Sequence, residues 1–326
     1  MGSETAEYTP IPTPTLPLKG KEKCADVLKL AHMPLHGEGG SVRDFPAGHG
    51  GASPARKATL RAVIALMLLG VGALGCPPAR ADGVDVGKPS SMRNLVPAGA
   101  IEKQAAQEYE QLKRQAASKC ALGPDEHPQV RRLRAIAARM IPFVDRFNPR
   151  ARQWQWEVNL IGSKQINAFC MPGGKIAFFS GILDTLKLTD DEVAMVMGHE
   201  IAHALREHAR ERMAKSQITQ LGANLLGELV GGGRYAGAFQ LGGNLLSLKF
   251  SRDDEMEADV VGLDLAARAG FDPRAGISLW QKMTAANSKA PLEFLSTHPA
   301  GNNRIKEIEK HLPEVVPLYE SSRRSR

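Results

Sequence analysis

Two histidines and a glutamate in the stretch MGHEIAHALREH, residues 197–208, have the spacing of a metal site. Four residues of an α-helix advance about 400°, so His199 and His203 lie one turn apart on nearly the same face. Their ring nitrogens can then reach one ion at the roughly 2.0–2.1 Å that zinc prefers. Glu200 lies about 100° further round the helix, where its carboxylate can accept a proton from a water that the metal activates. The spacing predicts a zinc site with a general base beside it.

The residues around the motif favour this interpretation over two surface histidines. Composition alone produces such a motif in roughly one chain in a hundred, so the spacing by itself does not decide. Polar side chains in a buried helix need partners, and a metal ion supplies one. The helix is predicted to be mostly buried because apolar residues surround the histidines, at Val193, Val196, Met197, Ile201, Ala204 and Leu205.

A catalytic zinc also needs a third protein ligand and an open position for water. An extended form of the motif adds a third histidine ligand further along the chain. It would need Gly and His where this chain has Arg206 and Ala209, so the class of zinc sites with this extended motif is excluded. His208 lies about 140° round a continuous helix from His203 and is predicted not to reach the same ion. The third ligand must come from another element.

The stretch SRDDEMEADVVG, residues 251–262, offers that ligand. Glu255 and Asp259 stand one helical turn apart and therefore share a face. We expect Glu255 to bind the metal and Asp259 to orient a ligand histidine through its free ring N–H. Gly262 continues this face and would let two helices approach closely, whereas Glu257 points elsewhere. The alternative is an exposed helix whose acidic residues only contact water.

The elements that must position these residues predict an α+β fold, mostly helical, with a small β-sheet beside the metal helix. Thr189 and Glu192 form a T-x-x-E capping box, which predicts a helix from Asp190 to about Met213. Strands are predicted in 154–161 and on both sides of a Pro-Gly-Gly turn in 167–183. The other predicted helices cover 100–117, 127–147 with Pro142 ending or kinking it, 251–269, 274–287 and 301–311.

Residues 58–81 have the order of a secretory signal peptide. Positive charges at Arg56, Lys57 and Arg61 precede an uncharged apolar run of 14 residues, and small residues follow at Ala79 and Ala81. Such a run is too short to span a bilayer comfortably. We expect cleavage after Ala81 and export to the periplasm. The alternative is a lipid on Cys76, because ALGC resembles the lipobox of bacterial lipoproteins and would give a membrane-anchored protein.

Five segments follow from these patterns. The metallopeptidase-like motifs fall between a leading part and a tail that both lack periodicity. The predicted segments are a disordered or mis-assigned extension (1–57), the signal peptide (58–81), an N-terminal loop and helix (82–123), the zinc-binding domain (124–312) and a disordered tail (313–326).

Charge and cysteine content limit the partners. The net charge of +7 over 326 residues is spread along the chain, without a basic block, so nucleic acid is not a predicted partner. Mild basicity is compatible with peripheral contact to an anionic membrane surface. In an oxidising compartment Cys120 and Cys170 could form a disulfide, or both could be buried small hydrophobes.

Three ordered motifs together resemble the HtpX-like family of gluzincin metallopeptidases, peptidase family M-48. They are GHEIAHAL, SRDDEMEADVVG and STHPAGNNRI, and the resemblance covers roughly residues 125–312. Within this family the chain resembles most the soluble exported BepA- and LoiP-like or OMA-like branch. The resemblance implies a zincin-like fold with one Zn²⁺ per chain, bound by His199, His203 and Glu255. It also implies Glu200 as general base, Asp259 as support, and a strand edge that takes the substrate as an added strand.

The third motif contributes two further candidates. By the resemblance, His298 and Arg304 match positions that face the scissile carbonyl, where they would stabilise the developing oxyanion. In some relatives the corresponding histidine occupies the open zinc position instead and silences the enzyme. A loop histidine before Pro299 is the third alternative for His298.

These inferences predict an exported zinc-dependent endopeptidase of the cell envelope. The resemblance implies protein or peptide substrates, including outer-membrane or other envelope proteins, and a task in quality control of misfolded or misassembled proteins. The alternative is a zinc-stabilised envelope chaperone or assembly factor with a closed metal site. A fourth protein ligand at the zinc would distinguish the two, because structural zinc sites are closed and catalytic ones keep a position open.

Overall fold

A computed structural model describes four stretches of the chain, which are residues 82–231, 245–288, 291–299 and 303–324. The predicted N-terminal extension and signal peptide, with Cys24 and Cys76, lie outside the described residues. No helix within the described stretches is both long enough and apolar enough to cross a membrane.

Helices make up most of the described chain, and the predicted mostly helical α+β class is confirmed. The helices are α1 (Ala98–Ser118), α2 (Pro128–Met140), α3 (Ser180–Leu186), α4 (Asp190–Leu205), α5 (His208–Gly231), α6 (Arg252–Arg268), α7 (Ala275–Asn287), α8 (Glu293–Thr297) and α9 (Arg304–Arg324). Short 3₁₀ turns cover Ser91–Leu95, Ile141–Arg146, Pro149–Gln153 and Leu245–Ser247. The predicted helix over 127–147 thus becomes 3₁₀ directly before Pro142, whose ring cannot continue α-helical hydrogen bonding.

Three short strands form one sheet, β1 (Glu157–Ile161), β2 (Ala168–Met171) and β3 (Lys175–Phe179). Their order is β1-β3-β2, with β1 parallel to β3 and β2 antiparallel to it. Gly173 and Gly174 both have φ above +80°, which allows the tight β2–β3 turn. The order leaves β2 at the edge of the sheet.

Helix α4 begins as the sequence predicts and ends earlier. Glu192 Oε2 accepts from the backbone of Thr189 at 2.9 Å, and the Thr189 hydroxyl accepts from Glu192 N at 3.3 Å, which completes the capping box. The predicted continuous helix to Met213 is wrong. Glu207 adopts φ of 59°, a left-handed conformation that ends α4 and redirects α5. The Glu207 carboxylate holds this bend through ion pairs to Arg93, Arg150 and Arg210.

The backbones of α4 and α6 nearly touch where Gly198 faces Gly262. A Cβ atom added at Gly262 would lie 2.7 Å from His199 N and 2.8 Å from the Gly198 carbonyl carbon. Such distances are shorter than any normal van der Waals contact, so only glycine fits this crossing. The close approach brings the histidines of α4 against the carboxylates of α6.

The C-terminal tail differs from the expectation, and the structure excludes one of the two alternatives for the cysteines. Residues 313–326 were predicted to be disordered, but α9 is helical to Arg324, and this prediction is wrong. Val315 and Leu318 bury against the main core, which gives the segment a reason to fold despite two internal prolines. Cys170 is a free, buried thiol, so it does not pair with Cys120.

We predict that Gly262→Ala destabilises the protein by about 1–3 kcal/mol, because the added methyl forces the two helices apart. Gly99→Ala is the matched control, since a Cβ at Gly99 meets nothing within 4 Å. Denaturant unfolding of the two variants measures the difference. Equal unfolding free energies would show that the helix crossing tolerates a side chain.

Candidate metal centre

Four buried side chains from three parts of the chain converge on one point. His199 and His203 come from α4, Glu255 from α6, and His298 from the residue that follows α8. One ligating atom from each lies within 4.8 Å of all the others. Each of these residues is at most 5% exposed.

The spacing of these atoms fits a tetrahedral zinc ion. His199 Nε2 lies 3.0 Å from His203 Nε2 and 3.3 Å from His298 Nδ1, and His298 Nδ1 lies 3.1 Å from Glu255 Oε1. The Glu255 oxygens are 3.4 Å from the Nε2 atom of each α4 histidine. Bonds of 2.0–2.1 Å to a central zinc put the corners of a tetrahedron roughly 3.3 Å apart. The donor set is also one that zinc prefers, so the residues present fit the metal.

Asp259 and Arg304 support the first of these ligands. Asp259 Oδ1 lies 3.0 Å from His199 Nδ1, so the carboxylate accepts a hydrogen bond from Nδ1–H and leaves the Nε2 lone pair directed at the metal position. Arg304 then binds Asp259 through Nε at 2.6 Å and through Nη2, and binds Glu255 through Nη1 at 2.5 Å. Its guanidinium carbon lies 3.8 Å from the centre of the Trp280 ring. The arginine thus pairs with two buried carboxylates at once.

The electrostatics of the cluster favour a cation. Burial raises the pKa of Glu255, but hydrogen bonds from the histidines outweigh it and hold the pKa well below its usual value. Burial and Arg304 lower the pKa of His199, whereas Asp259 and Glu255 raise it to about 9. Burial lowers the pKa of His203. Two ionised carboxylates therefore face the histidines, and a positive charge at the centre is stabilised.

Glu200 lies beside the cluster as the spacing predicts. It is buried, and its Oε1 atom has no hydrogen-bond partner among the described residues. Burial raises the pKa of this carboxyl. A buried, unpaired carboxylate oxygen is costly unless something binds to it, so Glu200 is available to accept a proton.

A small cleft joins the metal cluster to the edge strand β2. Its cavity of about 50 Å³ is large enough for a few water molecules and too small for a peptide. Phe250 stacks on the His203 ring at a centroid distance of 4.0 Å, and Phe294 stacks on His298 at 4.5 Å. The remaining walls are largely apolar, formed by Phe169, Cys170, Met171, Leu245, Leu246 and Leu248.

The predicted site residues lie together, with one difference in orientation. His199, His203, Glu255, Asp259, Glu200 and His298 form one cluster, as the motifs indicate. Arg304 was expected to face the scissile carbonyl. Instead its guanidinium is buried behind the metal ligands, and its donors are used by Glu255 and Asp259. The carboxylates attract it more strongly than the mostly apolar cleft.

Sequence reasoning missed two residues of this site, His208 and Glu257. His208 Nδ1 lies 2.9 Å from His203 Nδ1, and Glu257 contacts His208. In a continuous helix His208 would lie on another face than His203, whereas the bend at Glu207 places it beside His203. A charged stretch after Leu205 that breaks the apolar periodicity was the available signal.

The sequence pattern of peptidase family M48 matches residues 127–312, more than half of the chain. The chain belongs to peptidase family M48. It is 39% identical over 170 residues to the mitochondrial metalloendopeptidase OMA1 of Schizosaccharomyces pombe, a match that covers 52% of this chain and 50% of that protein. The corresponding protein of Saccharomyces cerevisiae is 34% identical over 213 residues, 61% of this chain and 60% of the relative.

A bacterial relative is also similar. The β-barrel assembly-enhancing protease of Escherichia coli is 32% identical over 178 residues, which are 50% of this chain and 36% of that protein. The M48 chain described here therefore spans about a third to three fifths of these relatives. The family membership supports zinc as the ion that the cluster binds.

We predict that Arg304→Ala destabilises the protein by about 3–5 kcal/mol, because Glu255 and Asp259 remain buried without their cation. Arg274→Ala is the control, since Arg274 makes an exposed ion pair with Asp272 that contributes little. Chemical unfolding and zinc content measure the effect. A loss of cleavage with unchanged stability and zinc content would instead support the oxyanion role.

Proposed function

We propose that this chain is a zinc-dependent endopeptidase. The observation that carries the proposal is the buried cluster of His199, His203 and Glu255 at tetrahedral zinc spacing, with the unpaired carboxylate oxygen of Glu200 beside it. Membership in a metallopeptidase family and relatives named metalloendopeptidases support it.

The residues divide the reaction between them. Zinc bound by His199, His203 and Glu255 would act as a Lewis acid that polarises the scissile carbonyl and lowers the pKa of the attacking water. Glu200 accepts a proton from that water as its oxygen adds to the carbonyl carbon. Glu200 then gives the proton to the leaving amine as the carbon–nitrogen bond breaks. Asp259 and Arg304 keep His199 and Glu255 oriented throughout.

The substrate binds along β2. This strand lies at the edge of the sheet and lines the cleft that contains Glu200 and His298. An extended peptide added to this edge would pass directly over the metal cluster, and its backbone would pair with the strand. The apolar walls favour an apolar side chain near the scissile bond. Because the present cavity is too small for a peptide, the segment around Leu245–Ser247 and Phe250 must move for binding.

We place the activity in the cell envelope, in quality control of misfolded or misassembled proteins. The signal-peptide pattern of residues 58–81 supports export to the periplasm, with lipidation of Cys76 as the alternative. The similarity to a bacterial β-barrel assembly-enhancing protease fits a role near outer-membrane proteins. Other similar proteins are mitochondrial. Fractionation of cells that express the native protein therefore tests the compartment.

We predict that Glu200→Gln retains one zinc per chain and the native fold but loses cleavage by about 10²–10⁴-fold, because the amide cannot accept the proton. Zinc content and casein cleavage, measured on the wild-type chain and the variant, test this. A chelator should abolish wild-type cleavage, and added zinc should restore it. Undiminished cleavage by the variant would remove Glu200 from the mechanism.

A second candidate function is a chaperone or assembly factor with a closed zinc site. His298 favours it, since its Nδ1 atom lies 3.3 Å from His199 Nε2 and 3.1 Å from Glu255 Oε1, where it would compete for the position that a catalytic site keeps for water. If the chain is a peptidase, displacement of His298 from the zinc position would regulate its activity. Its Nε2 atom lies 3.6 Å from Glu200 Oε1, so it also covers the proposed base.

We predict that His298→Ala raises the rate of casein cleavage about tenfold or more while zinc remains bound, because three protein ligands suffice to hold a catalytic zinc. His311→Ala is the control, since His311 lies on α9, is partly exposed and contacts Glu314. Lower cleavage with zinc retained would assign His298 to catalysis. No cleavage by either the wild type or this variant would favour the chaperone.

A further inference from the structure

We propose that His208 and Glu257 are positioning residues that orient the zinc ligand His203. The inference rests on the proposed zinc site and deepens it. His203 and His199 are both ligands, yet only His199 has a carboxylate on its second ring nitrogen. The second nitrogen of His203 faces another histidine instead.

A continuous chain of contacts leads away from His203. Its Nδ1 atom lies 2.9 Å from His208 Nδ1, and His208 Nε2 lies 2.7 Å from Glu257 Oε2. The other oxygen of Glu257 forms an ion pair with Arg206 Nη2. His208 is 1% exposed and Arg206 4%, whereas the Glu257 side chain is 25% exposed, so the contacts lead from the interior to a partly exposed carboxylate. We call these four residues, His203, His208, Glu257 and Arg206, the His203 relay.

When the rings of His203 and His208 are both neutral, only one arrangement of their protons satisfies every contact in the relay. A carboxylate is only an acceptor, so Glu257 requires the proton of His208 on Nε2. His208 Nδ1 is then an acceptor, and His203 Nδ1 must donate to it. The proton of His203 is thereby fixed on Nδ1, and its Nε2 lone pair is left for zinc.

The two ligand histidines are therefore supported by equivalent means. On one side Asp259, which is paired with Arg304, accepts a hydrogen bond from His199 directly. On the other side Glu257 and Arg206 do the same for His203 through the intervening ring of His208. The repeated pairing of carboxylate with arginine indicates a function in holding the ligand.

The N-terminal segment completes the relay. Arg206 Nη2 also donates to the carbonyl oxygens of Val86 and Gly87, at 3.3 and 3.0 Å. Val84 is 3% exposed, and its backbone N–H donates to the buried carboxylate of Asp264 on α6 at 3.0 Å. The segment that begins at Asp82 is thus fixed across both helices that carry zinc ligands, and it fixes the position of Arg206.

Glu257→Gln tests the polarity of the relay without changing its shape. Arg206 has only donors and will hold the oxygen of the new amide. The amide nitrogen then faces His208 Nε2 and requires it to accept, which moves the His208 proton to Nδ1. Two N–H groups would oppose each other at 2.9 Å between His208 and His203. A role in packing alone predicts almost no effect from this isosteric change.

The experiment uses the full chain and four variants, which are His208→Ala, His208→Asn, Glu257→Gln and the control Glu211→Gln. Glu211 lies on α5 near His208, is similarly buried and pairs with Lys215. Zinc affinity is measured by competition with a chromophoric chelator. The visible spectrum of the Co²⁺-substituted protein reports ligand geometry, and circular dichroism with thermal unfolding of the metal-free chain reports folding.

We expect His208→Ala and Glu257→Gln to weaken zinc binding about 10–100-fold and to alter the Co²⁺ spectrum. His208→Asn should lose less, because its amide oxygen can still accept from His203 Nδ1. Glu211→Gln should bind zinc as the wild type does. The isosteric Glu257→Gln keeps the test independent of any folding defect in His208→Ala.

Wild-type affinity and an unchanged Co²⁺ spectrum in Glu257→Gln and His208→Ala would overturn the relay and leave the peptidase proposal intact. Equal losses in His208→Ala and His208→Asn would also overturn it, since the acceptor would then not matter. Failure of the wild-type chain to bind zinc would instead overturn the proposed function on which the relay rests.

Discussion

The contact between the backbones of α4 and α6 at Gly198 and Gly262 determines the metal centre. Zinc bonds tolerate only a few tenths of an ångström, so the two helices that supply ligands must be held at a fixed separation. Direct backbone contact is the stiffest way to set that separation, because it leaves no flexible side chain to adjust. Gly262 lies two turns after Glu255, on the same helix face. The crossing point and the ligand are thus linked by rigid helix.

Charge balance is the second constraint on this interior. Glu255 and Asp259 are ionised and buried, and Arg304 is the cation that contacts both. Burying this many charged groups is costly, and the cost is offset only where each charge has a partner. Zinc adds the remaining positive charge at the point where the histidine nitrogens face each other at 3.0 Å. Metal binding and stability of the fold are therefore coupled in this protein.

The parts of the site that depend on helical periodicity could be read from the sequence, and those that depend on a bend or on competition between partners could not. His199, His203, Glu255 and Asp259 all sit one turn from a companion on an unbroken helix. His208 lies beyond a left-handed residue, Glu207, whose conformation is stabilised by arginines distant in sequence.

The orientation of Arg304 and the order of the C-terminal tail show the same limit. The sequence alone allowed Arg304 to face either a substrate in the cleft or the buried carboxylates. The fold places its guanidinium against the carboxylates of Asp259 and Glu255. The tail was predicted to be disordered because it lacks periodicity, whereas Val315 and Leu318 are buried against the main core and stabilise the helix. Local composition does not report such distant contacts.

The position of His298 reconciles a closed site with a hydrolytic one. The helix before it, α8, has only five residues, and His298 is attached through its backbone N–H to Phe294 O and through stacking on the Phe294 ring. Two further hydrogen bonds tie α8 to other parts of the chain, from Phe294 N to Ile166 O and from Phe250 N to Thr297 O. The three other ligands belong to helices fixed by backbone contact and by the buried pair of Arg304 with Asp259. The backbone hydrogen bonds that hold His298 are therefore separate from those of the helices that carry the other ligands. A site built in this way would be closed at rest and opened by a substrate that competes for the same cleft, because α8 can be displaced without separating α4 from α6.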